Sequence, residues 1–421
     1  MVSGSRMLYL VTETMMSNPY LPPELLDRTI DFLHDNTKAL KECCLVSKSW
    51  IPRTRQHLFA HVIFHPQKSL QSWMETFPDP FNSPAHHTHT LTYSQSVECS
   101  EAGDWITSFS HVVHLDVTGL GYGPSATQSM GSLVKFHGFS PNLKSIRLDF
   151  HVLPTLQAFS LILSFPLLED LAVVTYFWAS TGGGDGPDGL STAVQPSNPP
   201  AFAGSLILFM KGGMEPITLR LLSLPGGIHF RKLTLMWFQD SDAPLIKELV
   251  RECSGTLESL KITRSMQGTS IQHLSPSITL LQFPVESESD PIDLSKAWKL
   301  EDVALRDTKR PSVHWLSAAL QTITIDHRNL REVLLYTPCM QCNPTSTSNY
   351  AAHACITRAI GEDTHRQWLE FDHLLAQLWE SHSIHLKVLR YKHRDGLVCR
   401  CANSLLPEVI RRRIADLVEW S

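Results

Sequence analysis

The 421-residue chain has no surplus of positive charge. Its 36 Lys and Arg stand against 41 Asp and Glu, a formal −5 with 21 His uncounted, so there is no overall positive field to hold a polyphosphate backbone. Nucleic acid is therefore not an expected partner. Long apolar runs are missing as well: Leu161–Leu163 and Ala172–Val174 fall far short of the roughly 20 residues that cross a bilayer, and no membrane partner is expected. Residues 1–20 hold one short apolar patch, Met7–Val11, followed at once by Glu13 and without a basic start or a small-residue cleavage site, which reads as no secretory signal. No Asn-x-Ser/Thr sequon with a permitted middle residue occurs, Asn343-Pro344-Thr345 being blocked by its proline, and the nine cysteines are odd in number and dispersed. A reducing compartment, cytoplasmic and/or nuclear, fits that usage.

Catalytic signatures are also lacking. There is no Gly-x-Ser-x-Gly elbow, no His-Glu-x-x-His, no Walker lysine loop and no kinase set, so a non-catalytic chain without cofactors is expected. What the chain does have is 43% hydrophobic residues with 18% charged, enough apolar matter to exclude global disorder. Its length is two or three times that of one compact domain, so it must split or stack.

The densest local signal lies between Leu21 and Trp50. Pro22 and Pro23 followed by Glu24 suit the first turn of a helix, where a missing N–H costs nothing and a carboxylate meets the positive end of the dipole. Leu26, Ile30 and Leu33 then follow helical spacing, and Leu25, Thr29 and Phe32 repeat it one position earlier, giving a stripe wider than a single packing contact requires. His34-Asp35-Asn36-Thr37 supplies a turn and a cap; Leu40, Cys43, Cys44 and Val46 mark a second short helix; Ser47 or Ser49 can cap a third, with Trp50 and Ile51 inward. Three small helices in about forty residues sit close to the limit below which a chain cannot bury enough surface to offset its ordering entropy. A partner is needed.

These residues resemble the F-box, through a Leu-Pro-x-Glu opening, an Ile-x-x-Leu continuation and a Leu-Val-Ser-Lys-Ser-Trp close, over residues 19–60. The resemblance implies docking on a Skp-type adaptor, and through it on a cullin, as the substrate-receptor subunit of an SCF-type ubiquitin ligase. Carried over position by position, Leu21, Pro22, Leu25, Ile30, Leu33, Leu45, Val46 and Trp50 are the adaptor-facing or supporting positions. In the bland reading the segment is merely a helical cap that seals one end of the remaining chain.

Beyond Phe64 a degenerate Leu-x-x-Leu-x-Leu pattern recurs, within Val112–Val117, Asn142–Leu148, Leu167–Val173, Lys232–Leu235, Thr256–Ile262, Lys299–Leu305, Asn329–Leu335 and His385–Leu389. Leu143 and Leu168 are 25 residues apart, Leu233 and Leu257 24, inside the roughly 20–29 residue period of leucine-rich repeats. Alternating leucines point inward from each strand, and Thr155–Leu163 and Pro244–Cys253 carry helical spacing between strands. The expected fold class is thus α/β: a three-helix F-box unit followed by an irregular leucine-rich-repeat-like solenoid, resembling regions that follow an F-box in many fungal proteins. The asparagine that usually closes such a strand is missing. The expected boundaries are a flexible N-terminus at 1–18, a connecting segment at 61–110 and the solenoid at 111–421. Within the last, a Gly/Pro/Ser-rich insertion at 179–204 and a loop at 343–349 are expected, together with a C-terminal capping helix whose stripe is Ile410, Ile414 and Leu417. A His-bearing loop is expected at 78–90.

Four further features carry little weight. Gly184-Asp185-Gly186-Pro187-Asp188-Gly189 has the dinucleotide spacing but no helix start behind it. Cys339-x-x-Cys342 with His353, Cys355, Cys399 and Cys401 lacks a second properly spaced pair, and His86, His87 and His89 read as loop histidines, so no metal is expected. Trp178, Trp237, Trp298, Trp315, Trp368 and Trp379 could anchor a client, although Trp237 and Trp298 adjoin strands and read as packing residues. The client itself, an unknown protein, leaves no sequence signal. The alternative function is a leucine-rich-repeat-type interaction scaffold without ubiquitin machinery, distinguished by whether Leu21, Pro22, Leu25 and Ile30 are exposed.

Overall fold

A computed structural model describes residues 22–65, 70–95, 105–119, 136–137, 139–179, 200–210, 214–238, 242–264, 292–307, 314–336, 362–382, 385–391, 406–412 and 415–420. The chain forms two compact units, the first ending at His61 and the second running from Val62. Among the described residues no helix is long and apolar enough to cross a membrane.

The first unit is helical. Helix α1 spans Pro23–Asp31, α2 spans Thr37–Val46, and a short 3-10 turn at Lys48–Trp50 leads into α3, Ile51–Leu58. The second unit is mixed α/β and is built on one 12-stranded sheet whose strands stand in chain order. Its first five strands are β1 (His61–Phe64), β2 (Thr90–Gln95), β3 (His114–Gly119), β4 (Ser145–Pro154) and β5 (Asp170–Ala179). The middle of the sheet is β6 (Ser205–Met210), β7 (Lys232–Phe238), β8 (Ser259–Arg264) and β9 (Asp302–Asp307), and β10 (Glu332–Tyr336), β11 (His385–Tyr391) and β12 (Ala415–Trp420) complete it. All neighbours from β2 to β12 pair parallel.

Parallel neighbours cannot be joined by a tight turn, and the crossover that returns the chain is usually a helix. Helices α5 (Thr155–Leu163), α6 (Glu215–Leu222), α7 (Ala243–Cys253), α8 (His314–Gln321), α9 (Glu362–His382) and α10 (Pro407–Arg411) lie in such crossovers, after α4 (Leu70–Thr76) near the start. Neighbouring helices pack on one another: α5 on α6, α6 on α7, α8 on α9, α9 on α10.

Pairing register brings the apolar side chains into rows. Leu91, Leu115, Ile146, Leu171, Leu206, Leu233, Leu260, Val303, Val333 and Leu386 face one another across successive strands, and every one of them is buried. Two residues on, Val117, Leu148, Val173, Leu208, Leu235 and Ile262 form a second buried row. The first leucine of each sequence pattern, such as Leu143, Leu168, Leu257, Leu300 or Leu330, is buried just before its strand. Each of these side chains contributes about 2 kcal/mol through burial, an upper figure because the unfolded chain is itself partly compact.

A backbone fork repeats between strands. The carbonyl of the residue before one strand, or of its first turn, accepts two consecutive N–H groups of the next: His89 from Val113 and His114, Val113 from Lys144 and Ser145, Lys144 from Glu169 and Asp170. Gly204, Arg231, Glu258 and Glu301 do the same for later strands. The β5–β6 joint departs from this. Glu169 receives only the Gly204 N–H, at 3.1 Å, while the Ser205 N–H and Oγ both donate to Asp170 Oδ1, at 2.5 and 2.7 Å. A Cβ on Gly204 would stand 2.3 Å from that oxygen, so glycine is what lets the carboxylate approach. Just ahead, Phe202 takes a positive φ of 44° and is fully buried, filling the core place that a leucine holds elsewhere.

Several sequence expectations are corrected. Residues 61–110 are not a mere connection: they contribute β1, α4 and β2, and Phe64, Tyr93 and Phe109 are buried and meet edge to face at Phe64, with Tyr93 6.4 Å and Phe109 5.8 Å from it. The loop at 78–90 contains two 3-10 turns and buries Ser83, Pro84, Ala85 and Thr88. The insertion at 179–204 ends earlier than expected, since Phe202 is buried and Gly204 is bonded into the joints on either side of β6; residues 180–199 lie outside the described residues. The C-terminal capping helix is only α10, after which β12 pairs with β11 and sets Leu417 opposite Val388. An open strand edge offers unpaired N–H and C=O groups, and the alternating Ala415–Trp420 takes them instead of extending the helix. Residues 1–18, the loop at 343–349, the glycine motif at 184–189, and Cys339, Cys342, His353, Cys355, Cys399, Cys401 and Ile414 lie outside the described residues.

The two ways of holding adjacent strands differ in their response to mutation. Asp170→Ala strips the acceptor from a backbone N–H and is expected to lower the unfolding free energy by about 1–3 kcal/mol. Asp302→Ala, which loses only the Ser259 hydroxyl bond of 2.6 Å and keeps the backbone fork, should cost about 1 kcal/mol or less. Equilibrium urea unfolding of the two variants compares them.

Candidate functional site

Large apolar side chains stand in water in both units, singly at places such as Phe81 and Ile325 in the second, and four of them fall within about twenty residues of the first. Pro22 and Pro23 open α1 and Glu24 sits in its first turn, as dipole and proline rules require. Asn36 caps α2, its Oδ1 accepting the Ala39 N–H at 3.0 Å. Ser47 Oγ accepts from the Ser49 N–H at 3.3 Å and opens the 3-10 turn, and the buried Thr54 hydroxyl donates to the Trp50 carbonyl at 2.7 Å. The interior is small, with Ile30, Leu40, Cys43 and Thr54 as the buried side chains among its described residues.

One polar cluster ties α1 to α3. The Asp31 carboxylate accepts from Arg53 Nε and Nη2, both at 2.7 Å, and lies 2.7 Å from His57 Nε2. The bidentate fork from Arg53 holds the Asp31 carboxyl well below the usual carboxylate range, with His57 acting in the same direction.

Outside that framework, Leu25 is 46% exposed, Val46 65%, Phe32 87% and Leu45 88%. Leu25 on α1 and Phe32 at its C-terminal cap are seven residues apart and share a face, whereas Leu45 and Val46 end α2. Large side chains with so much surface in water leave about 1.5–3 kcal/mol each unrealised until something covers them.

Placement of the sequence-predicted residues is mixed. Pro22, Leu25, Leu45 and Val46 are exposed, and Leu33 and Trp50 are half-buried. Ile30 is corrected: at 0% exposure it cannot touch a second chain and supports the helices from within, because it lies on the face of α1 turned toward the interior. Leu21 lies outside the described residues. Phe32 is a contact candidate that the F-box motif does not mark, although its spacing from Leu25 carries the signal.

Burial pushes the Cys253 thiol up to about 12, which keeps it protonated at neutral pH. Burial likewise raises the carboxyl of Asp372, whose oxygens accept the Glu408 and Val409 N–H groups at 2.6 and 3.0 Å and so start α10. A shallow groove of about 420 Å³ lies where Leu320, Ile323 and Ile325 face Leu374 and Leu378, rimmed by Gln321, Thr324, Gln377 and Ser381 and lined by no ionisable side chain. The His86 and His87 ring centres lie 3.9 Å apart with their planes tilted by 52°, and His86 Nδ1 lies 2.8 Å from the Ser83 carbonyl. Among the described residues no group of three or more His, Cys, Asp or Glu is placed to hold a metal. Trp368 is buried and Trp379 exposed; Trp298, expected to pack, is 51% exposed under the Lys299 ammonium, 5.0 Å from its ring. The side chains of Trp178, Trp237 and Trp315 are outside the described set.

No protein-family model matches the chain, and no curated protein matches it.

Asp31→Asn is expected to weaken the α1–α3 tie by about 1 kcal/mol, the value of a partly exposed charge-assisted pair. Faster amide hydrogen exchange in residues 23–31 and 51–58 reads it out. Because the folded-state carboxyl titrates below its unfolded value, its contribution is complete above the ordinary carboxylate range and fades as the pH drops below it. Protection of the wild-type helices should fall in acid, and that of the Asn variant should fall less.

Proposed function

We propose that the chain is the substrate-receptor subunit of an SCF-type ubiquitin ligase. Its first unit serves as the F-box, docking on a Skp-type adaptor that hangs it on a cullin. Its second unit is an irregular leucine-rich-repeat-like solenoid that holds a protein client, and ubiquitin transfer belongs to other chains, so no residue here needs to be catalytic.

The observation that carries the reading is the exposure of Leu25, Phe32, Leu45 and Val46 in a unit whose own interior is only a few residues deep. Large apolar side chains that a small unit leaves uncovered in such number are a feature of interfaces. A capping role favours sealed side chains, and so does a scaffold that has turned this face to private packing. The strict chain order of the parallel strands supports the other half of the proposal, since repeat proteins add each unit onto its predecessor. The Leu-Pro-x-Glu opening and Leu-Val-Ser-Lys-Ser-Trp close supply the link to this adaptor.

Co-purification of the full chain with a Skp-type adaptor tests the proposal. Phe32→Asp and Leu45→Asp change side chains that are mostly in water, so each should leave folding stability within about 0.5 kcal/mol of wild type. Each should cut adaptor retention at least tenfold, because about 1.4 kcal/mol of lost burial is a factor of ten in affinity. Ile30→Asp, by contrast, should unfold the unit. Wild-type chain that recovers no adaptor, or exposed-residue variants that retain it fully, would overturn the assignment.

A further inference from the structure

The face of the sheet opposite the buried rows carries rows of its own. Side chains alternate along a strand, so Asp116, Arg147, Ala172, Ile207, Thr234 and Lys261 form one outer row across β3 to β8. Asp149, Val174, Phe209 and Met236 lie side by side in the next, on β4 to β7. A side chain flanked by two strands about 4.8 Å away is shaded even on an open face, and Ala172, Val174, Ile207, Phe209 and Met236 are all half-buried.

The composition of these rows changes in order. On β3 and β4 they are charged: Arg147 is bonded to Asp149 at 3.3 Å, which leaves Asp116 with its charge uncompensated by any ion pair among the described residues. On β5 to β7 they become apolar apart from Thr234. On β7 and β8 they turn basic, with Lys232 exposed, Lys261 half-buried and neither in an ion pair among the described residues. Asp170 and Asp302 flank the stripe but accept hydroxyl hydrogen bonds from Ser205 and Ser259.

The geometry points to a docking site on this outer face for one short extended client segment that crosses the strands, with a basic residue over Asp116, an apolar middle over Ile207, Val174 and Met236, and an acidic residue over Lys232 and Lys261. Size selects this occupant. The apolar stripe covers three strands and two rows, roughly 10 by 7 Å, far below the roughly 800 Å² per partner of a stable interface between folded chains. From Asp116 on β3 to Lys261 on β8 is five strand spacings, about 24 Å, which about seven extended residues span. The inference rests on the receptor reading only in calling the bound segment a client.

Selection from a displayed library of random peptides on the full-length chain, without adaptor, tests it. Enriched peptides should carry apolar residues between a Lys or Arg at one end and an Asp or Glu at the other. Ile207→Asp should lower their recovery at least tenfold. Lys232→Glu with Lys261→Glu, at solvent-facing positions that leave the core untouched, should shift selection to peptides basic at both ends. Phe32→Asp should leave the selection unchanged, which separates failure here from failure of adaptor docking. No enrichment, enriched peptides indifferent to these changes, or a self-association in sedimentation that Ile207→Asp abolishes, would each overturn the proposal.

Discussion

Register is the constraint on which the second unit depends. Each strand from β2 to β8 supplies two inward side chains at a separation of two residues, and parallel pairing places them against the corresponding pair on the next strand. A slip of one residue would turn Leu206 and Leu208 outward and Ile207 and Phe209 inward, exchanging core for surface along the whole sheet. The buried rows are what oppose that slip, since main-chain groups could pair again one residue along whereas the leucines would leave the core; the backbone fork closes each joint in the register so set.

That same rule decides what the sequence could disclose. Strands that carry the leucine pattern in full, such as β4, β5 and β8, are legible because both the anchor before the strand and the pair within it are aliphatic. In β2 the anchor position is Thr88 and the inward pair is Leu91 and Tyr93, with Phe64 packed against the tyrosine, so aromatics replace the leucines that the pattern seeks. In β6 the inward pair is regular, but the anchor is Phe202, one residue out of phase, and the run of proline and glycine before it suggests only loop. For β12 the difference is one of period: Ile410, Ile414 and Leu417 fit a helical stripe by count, and the pairing edge of β11, invisible in sequence, takes the last residues as a strand.

The helical unit is legible in its helix starts and less so in its faces. Proline at the start of α1, Asn36 before α2 and Ser47 at the next turn are local signals whose effect does not depend on the rest of the fold. Two apolar stripes one residue apart do not say which is inward. Packing chooses Ile30 for the interior and leaves Leu25 and Phe32 in solvent, and the Asp31 link to Arg53 and His57, which joins residues more than twenty positions apart, sets that choice without any sequence motif.

Of the eight joints from β2–β3 to β9–β10, seven are closed by a main-chain carbonyl that takes two N–H groups, and at β5–β6 the Glu169 carbonyl takes one and the carboxylate of Asp170 the other. A carbonyl is present whatever residue occupies its position, so substitution cannot delete it. At β5–β6 one of the two acceptors is a side chain, so part of that joint can be altered by a single substitution while the paired ladder beyond it stays, at the strands that also bear the apolar outer stripe.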